Sequence, residues 1–270
     1  MTSTTSPIRI ALFLCDKPIA TVQATDGDYT SIFDTLLRKS LPASEAGVEY
    51  SLDPYDVREA LQYPENIDDY RAIILTGSAA SAYENLEWIN RLVDYVRDVA
   101  TNKPHIKLIG ICFGHQIIAR ALGGECVPSG NWEISITELQ LTDIGKKLFG
   151  ADSLNIHQMH RDHVPTVPPS FHLLGSTSIT PNQGMVRLRD SANPDDFKPE
   201  DVQIFTVQGH PEFTERIVTK IIDARQGTGV IGGDIAEDGK RRVVLRNDGV
   251  DVVGNVIWRV IGVGSEGTGS

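Results

Sequence analysis

The chain has 270 residues, of which 40% are apolar, and carries a formal net charge of −11 from 25 basic and 36 acidic side chains. That composition supplies an ordinary buried core and predicts a soluble globular protein, either one large domain or two small ones. An acidic balance without clustered Lys and Arg argues against a nucleic-acid partner, and runs such as Ile10–Cys15 fall far short of the roughly 18 apolar residues of a membrane helix. Three cysteines without C-x-x-C spacing speak against a disulfide framework or a zinc site. Residues 1–7 read as disordered and lack the basic and apolar regions of a secretion signal, so a reducing cytoplasm is the expected compartment.

In chain order, compact apolar runs alternate with amphipathic stretches, the pattern of an α/β sheet covered by helices on both faces. Ile8–Leu14 predicts a first strand and Tyr29–Leu41 a helix, with Ile32, Phe33, Leu36 and Leu37 at helical spacing. Val48–Leu52 and Arg71–Leu75 predict further strands, the latter ending in Thr76-Gly77-Ser78. Glu87–Ala100 carries Ile89, Leu92, Val93, Val96 and Val99 on one helical face, and Lys107–Ile111 forms the next strand. A helix over Gln116–Leu122 ends at Gly123-Gly124. Short strands follow at Glu133–Leu141, Leu154–Met159, Phe171–Ser176 and Gly184–Leu188, with a short helix at Thr142–Leu148 and a surface loop at Asp190–Asp201. Val202–Val207 is a last strand, followed by Gln208-Gly209-His210-Pro211-Glu212 and a helix to about Arg225. The remainder, residues 226–270, predicts two helices, Ile235–Arg246 and Val250–Val263, broken at Asn247-Asp248-Gly249. These helices either cover an apolar patch or contribute to an oligomer.

The segment Gly110-Ile111-Cys112-Phe113-Gly114-His115-Gln116 sets a cysteine where a strand meets a helix, with glycine two residues before and two after it. Such a turn lifts a side chain above the sheet edge, and the flanking glycines relieve the crowding. A thiol there sits near a helix N-terminus, whose partial positive charge favours the nucleophilic thiolate. The Phe113 N–H can point at the oxygen of a tetrahedral intermediate, and Gly77, at the end of the preceding parallel strand, can supply a second donor. His210 follows a later strand and falls at the same edge, while Glu212, two residues on, can accept its ring N–H.

Together G-I-C-F-G-H-Q at 110–116 and Q-G-H-P-E at 208–212 resemble the two signature segments of class I glutamine amidotransferases, and T-G-S at 76–78 and H-R-D-H-V at 160–164 extend the likeness over roughly residues 8–225. The resemblance implies a flavodoxin-like three-layer α/β/α domain with a central, mostly parallel mixed sheet, followed by a C-terminal helical extension over 226–270. It implies Cys112 as nucleophile, His210 as general base and acid, Glu212 as orienting carboxylate, and Gly77 and Phe113 as oxyanion donors. It also implies Gln116 as a holder of the glutamyl group, and no cofactor or metal. The reaction implied is attack on a γ-glutamyl amide and hydrolysis of the resulting glutamyl thioester.

The family's biosynthetic members use an acceptor domain or subunit that consumes the ammonia, and the 45 residues after Arg225 are too few to build one. G-D-Y-T-S-I-F at 27–33 is similar to stand-alone members, among them plant γ-glutamyl peptidases and fungal amidotransferase-like proteins. Two substrates stay open on this reading: glutamine, with ammonia passed to a separate synthase, or a γ-glutamyl peptide such as glutathione or a conjugate. A binding or regulatory protein that has lost turnover is a third possibility, against which the intact Cys112, His210 and Glu212 count.

Other residues admit plainer roles. Cys15 and Cys126 read as packing. His157, His160 and His163 suggest a metal only until strand alternation turns His160 away from the other two, so none is predicted. His160, Arg161 and Asp162 read as a polar edge near the site, Arg161 and Asp162 equally as a surface ion pair. Trp132 and Glu133 lie in a segment that approaches substrate in the related family, packing being the alternative for Trp132. His115, on the helix just after the turn, points away from where a base must stand.

Overall fold

The computed structural model of the chain describes residues 7–264; the disorder expected over residues 1–7 lies outside them except at Pro7, as does the end of the tail beyond residue 264. Nine strands among the described residues join in one sheet: β1 (Ile8–Leu14), β2 (Tyr50–Asp56), β3 (Ala72–Leu75), β4 (Lys107–Ile111), β5 (Val127–Leu141), β6 (Ser153–His163), β7 (His172–Ser176), β8 (Gly184–Leu188) and β9 (Val202–Val207). Their order is β2-β1-β3-β4-β9-β8-β7-β5-β6. The run β2-β1-β3-β4-β9 is parallel, and every pairing beyond β9 is antiparallel. This is the mixed α/β sheet expected from the sequence.

Period-2 alternation along the parallel strands builds a core on each face. Ile10, Leu12 and Ile74 join Phe33, Leu36 and Leu37 of α2 (Tyr29–Ser40) on one side. Ala11, Phe13, Ile73 and Leu75 join Ile89, Leu92 and Val96 of α3 (Glu87–Asn102), and Ile117 of α4 (Phe113–Ala121), on the other. Helix α1 (Ala20–Asp26) precedes α2, α5 (Asp143–Phe149) links β5 to β6, and α6 (Glu215–Gly227) follows β9. A smaller cluster, including Val22, Ile134, Met159, Phe213 and Ile217, lies beneath α6.

Two elements depart from expectation near the first crossover. The second strand runs over Tyr50–Asp56 rather than Val48–Leu52. It pairs with β1 from Ile8↔Tyr50 to Leu14↔Asp56 as the edge strand, where Pro54 removes no needed donor and the apolar pattern is weak. Helix α1 was not expected. It buries only Val22 of its seven residues, too little for any periodicity to register.

The tail contains α7 (Gly233–Arg242), a π-helical turn (Gly249–Gly254) and α8 (Asn255–Ile261). Asp248 ties its middle to β6: its N–H donates to Asn155 O at 2.7 Å and its Oδ2 accepts from Asn155 N–H at 2.8 Å. Val256, Ile257, Trp258, Val260 and Ile261 of α8 are all buried in the core that also holds Ile10 and Leu12. Through α8 the tail covers an apolar surface of the sheet.

The arrangement brings the carboxyl ends of β3, β4 and β9 together, since Leu75 is opposite Gly110 and Ile111 opposite Val207. Open parallel sheets bind ligands at this edge.

Candidate active site

At the end of β4, Cys112 adopts φ 52° and ψ −102°, a left-handed backbone that a non-glycine residue takes only at a cost. Its N–H donates to Val207 O at 2.9 Å, and its carbonyl accepts the Gln116 N–H at 3.1 Å, opening α4. The flanking glycines are sterically required. A Cβ on Gly110 would lie 2.7 Å from the Gly114 carbonyl, and one on Gly114 would lie 2.6 Å from Leu75 O. The turn is therefore the sharp strand-to-helix elbow that the sequence predicts.

His210 arrives from β9. Its N–H donates to His157 O at 2.8 Å, and its ring lies flat on Phe213, with centroids 4.0 Å apart and planes inclined by 2°. Its Nδ1 hydrogen-bonds Glu212 Oε1 at 2.8 Å, which leaves Nε2 as the nitrogen facing the thiol. Both side chains are buried. Burial alone would favour the neutral imidazole, yet the Glu212 carboxylate and the Cys112 sulfur outweigh it and raise the His210 pKa to about 10. Cys112, His210 and Glu212, 98 and 2 residues apart in the chain, thus form one chain of contacts.

Gly77 packs directly against this group. A Cβ there would stand 2.9 Å from His210 Cε1 and 3.8 Å from Cys112 Cβ. Among the described residues no protein acceptor takes the N–H of Gly77 or of Phe113, so both remain available to an external oxygen. The loop carrying Gly77 is pinned by Asp16, whose Oδ2 accepts from Ser78 Oγ at 3.2 Å and from the Ala79 N–H at 2.8 Å while Oδ1 pairs with Arg58. Sequence reasoning did not single out Asp16, since one aspartate after a strand resembles any turn residue.

Above Cys112 the cleft has two lobes, of about 640 and 740 Å³ including the open mouth. Gln116, Trp132, His160, Arg161 and Asp162 line the polar lobe with Cys112. Gln116 Nε2 is held by Asp162 O and Gln208 Oε1, each at 3.0 Å, so its side chain is fixed in place. Arg225, absent from the sequence expectations, lies between the lobes. Its Cζ stands 4.9 Å from the Trp132 ring centroid, and Arg161 Cζ stands 5.7 Å from the same centroid. In the sequence it is merely the basic residue ending α6, where a cation suits the helix dipole anyway.

Glu133 does not line the cleft. Strand alternation turns it away from Trp132, and it accepts from Thr177 Oγ1 at 2.5 Å and Gln183 Nε2 at 2.7 Å. His160, its cross-strand partner, has Nε2 3.2 Å away, an ion-pair distance without hydrogen-bond alignment. Glu133 thus holds His160 from behind.

The remaining candidates are packed or bonded elsewhere. His115 is fully buried, its Nδ1 2.8 Å from Thr206 Oγ1, and burial lowers its pKa to about 3, so it remains neutral and apart from the thiol. Cys15 and Cys126 are buried too, and burial pushes the Cys15 thiol up to about 12. No group of His, Cys, Asp or Glu among the described residues could hold a metal ion, and no helix there is long and apolar enough to cross a membrane.

A family model described as glutamine amidotransferase class-I matches residues 28–222. A glutamine amidotransferase-like protein of Schizosaccharomyces pombe is 37% identical over 238 residues, covering 86% of this chain and 90% of that protein. Gamma-glutamyl peptidase 4 of Arabidopsis thaliana is 28% identical over 242 residues, 85% of each chain. The crystal structure of a glutamine amidotransferase from Thermotoga maritima superposes with a TM-score of 0.66 at 18% identity, covering 96% of this chain and all of that one, a likeness of fold. With a matched family model over most of its length and a relative aligned nearly end to end, the chain belongs to the class I glutamine amidotransferase family.

Proposed function

We propose that the protein hydrolyses a γ-glutamyl amide through a thioester on Cys112. The observation that carries this reading is the buried contact chain from Cys112 through His210 to Glu212, in which the Glu212 carboxylate, 2.8 Å from the ring, favours the protonated imidazole beside the sulfur. A thiolate paired with an imidazolium is a nucleophile prepared before substrate arrives.

In the first half-reaction Sγ of Cys112 attacks the amide carbon, and the carbonyl π pair moves onto oxygen, where the N–H groups of Gly77 and Phe113 receive the charge. Collapse restores the carbonyl and breaks the C–N bond, while His210 gives its proton to the departing nitrogen. His210, now neutral, takes a proton from water as that water attacks the thioester. The C–S bond then breaks, releasing glutamate and restoring the thiolate–imidazolium pair. Glu212 holds the imidazole in orientation and stabilises its charged form. In the polar lobe the substrate's α-carboxylate meets Arg161 and Arg225, and Gln116 shapes the wall. A reducing cytoplasm suits this chemistry because it keeps the thiol free.

The test is to incubate the purified protein with glutamine and with γ-glutamyl peptides, measure glutamate release, and trap the acyl-enzyme with hydroxylamine. Cys112→Ala is expected to lose both glutamate release and hydroxamate formation. Hydrolysis unchanged in that variant would sink the mechanism.

A further inference from the structure

The two lobes differ in chemistry, and the proton donor faces only one of them. His210 lines the lobe bounded by Ile19, Val22 of α1, Tyr29 and Ile32 of α2, Phe213, and Ile217, Ile221 and Ala224 of α6, whereas Gln116, Trp132 and Arg161 line the other. On the mechanism proposed above, the departing nitrogen must receive its proton from His210. The acyl group and the leaving group lie on opposite sides of the carbon that Cys112 attacks. The polar, cationic lobe suits the glutamyl carboxylate, so the leaving amine projects into the lobe beside His210.

That lobe is lined mainly by carbon. The charges at its mouth are already engaged: Lys17 Nζ with Glu59 Oε2 at 2.5 Å, and Asp16 with Arg58, Ser78 and Ala79. Arg225 stands at the boundary of the two lobes, its guanidinium over Trp132 on the polar side. Beyond that boundary, between α1, α2 and α6, an ionic leaving group would be desolvated without a partner, whereas an apolar one would displace water from apolar walls. Ammonia would leave the lobe empty.

We infer that the apolar lobe between α1, α2 and α6 is a leaving-group subsite, and that the substrates cleaved best are γ-glutamyl amides whose amine carries an apolar body. This rests on the proposed γ-glutamyl hydrolase reading and adds the chemical class of the departing group.

The experiment compares kcat/KM for γ-glutamyl benzylamide, γ-glutamyl ethanolamide, γ-glutamyl glutamate and glutamine. Benzylamine and ethanolamine have similar basicity, so a difference between their amides reports binding rather than leaving-group reactivity. The benzylamide is expected to exceed the other three by at least about tenfold, the scale on which apolar pockets discriminate. Ile19→Asn and Ile221→Asn are expected to lower the benzylamide-to-ethanolamide ratio severalfold. Neither adds a charge near Cys112 or His210, and Ile19, 38% exposed, can be replaced without emptying the core. Glutamine or the ethanolamide cleaved as fast as the benzylamide, or a ratio that neither variant moves, would overturn the subsite while leaving the hydrolase reading intact. Failure of all four amides to yield glutamate or a hydroxamate would overturn both.

Discussion

His210 is held by neighbours that act in different ways: Glu212 through its charge, and Phe213 and Gly77 through contact. Because Glu212 and the Cys112 sulfur outweigh burial and raise the imidazole pKa to about 10, His210 keeps the proton it must donate well into alkaline pH, and kcat/KM should fall only as pH rises toward 10. Glu212→Gln removes the charge and nearly preserves the shape. Its kcat/KM should drop by roughly 10³ to 10⁴-fold, the loss seen when a triad carboxylate becomes an amide. The alkaline limb should also move to lower pH, because nothing then favours the protonated ring to the same degree. A pH–rate profile checks both, and an unmoved limb would separate Glu212 from the titration of His210. At Gly77 the effect is steric. A methyl group 2.9 Å from His210 Cε1 must displace the ring or the loop, so Gly77→Ala should cost about 10²-fold or more in kcat with little change in thermal midpoint. Steady-state kinetics alongside a melting curve would show whether the loss is local.

The last helix shows how an element can be local in sequence and central in packing. In α8, Trp258 is fully buried, donates its Nε1–H to Leu37 O at 2.9 Å, and meets Tyr50 edge-on at 5.1 Å between ring centroids. Trp258→Ala should therefore destabilise by about 3 to 5 kcal/mol, read from urea unfolding, although the residue lies far along the chain from the cleft motifs. A change under 1 kcal/mol would mean that α8 contributes little to the core. The sequence marked the apolar stretch around Trp258 but not what it covered, because that depends on how α2 and β2 pack. The elbow was legible for the opposite reason. Gly110, Cys112 and Gly114 stand together in one strand-to-helix connection, Gly110 against the Gly114 carbonyl and Gly114 against the adjoining strand at Leu75, and His210 and Glu212 sit at one turn beside Pro211. Glu133 was misplaced because its carboxylate is taken up by Thr177 and Gln183, partners 44 and 50 residues away that no local pattern announces. Arg225 and α1 were illegible because the first takes its place over Trp132 of β5 and the second packs on α6, tertiary contacts with no local pattern.

At the scale of the whole molecule, three buried histidines of opposite sign shape the response to pH. Burial holds His115 at a pKa of about 3, and burial with the nearby His210 charge holds His157 at about 4, both below the ordinary 6.5. As pH falls from 6.5 toward 4, the unfolded chain binds protons at these positions that the folded chain refuses, so stability declines. His210 works in the other direction. Its folded pKa of about 10 exceeds the unfolded value, so the stabilisation it contributes is complete below about 6.5 and is lost progressively as pH rises toward 10. The carboxylates held low by basic partners, such as Asp53 beside Arg9 and Asp238 beside Arg242, release stability only below their ordinary range near 3.8. Above pH 8 Lys107, whose pKa burial lowers to about 8, adds a trend of the opposite sign to that of His210, so the window from about 4.5 to 8 is the one in which the histidines are read. Urea midpoints measured from pH 4.5 to 8 should therefore peak near pH 6.5 and fall on both sides. Glu212→Gln should flatten the alkaline side by withdrawing the charge that raises His210. A midpoint that climbs steadily from pH 6.5 to 8 would show that His210 does not carry its proton in the folded chain, and with it the proton donor of the proposed mechanism would be missing.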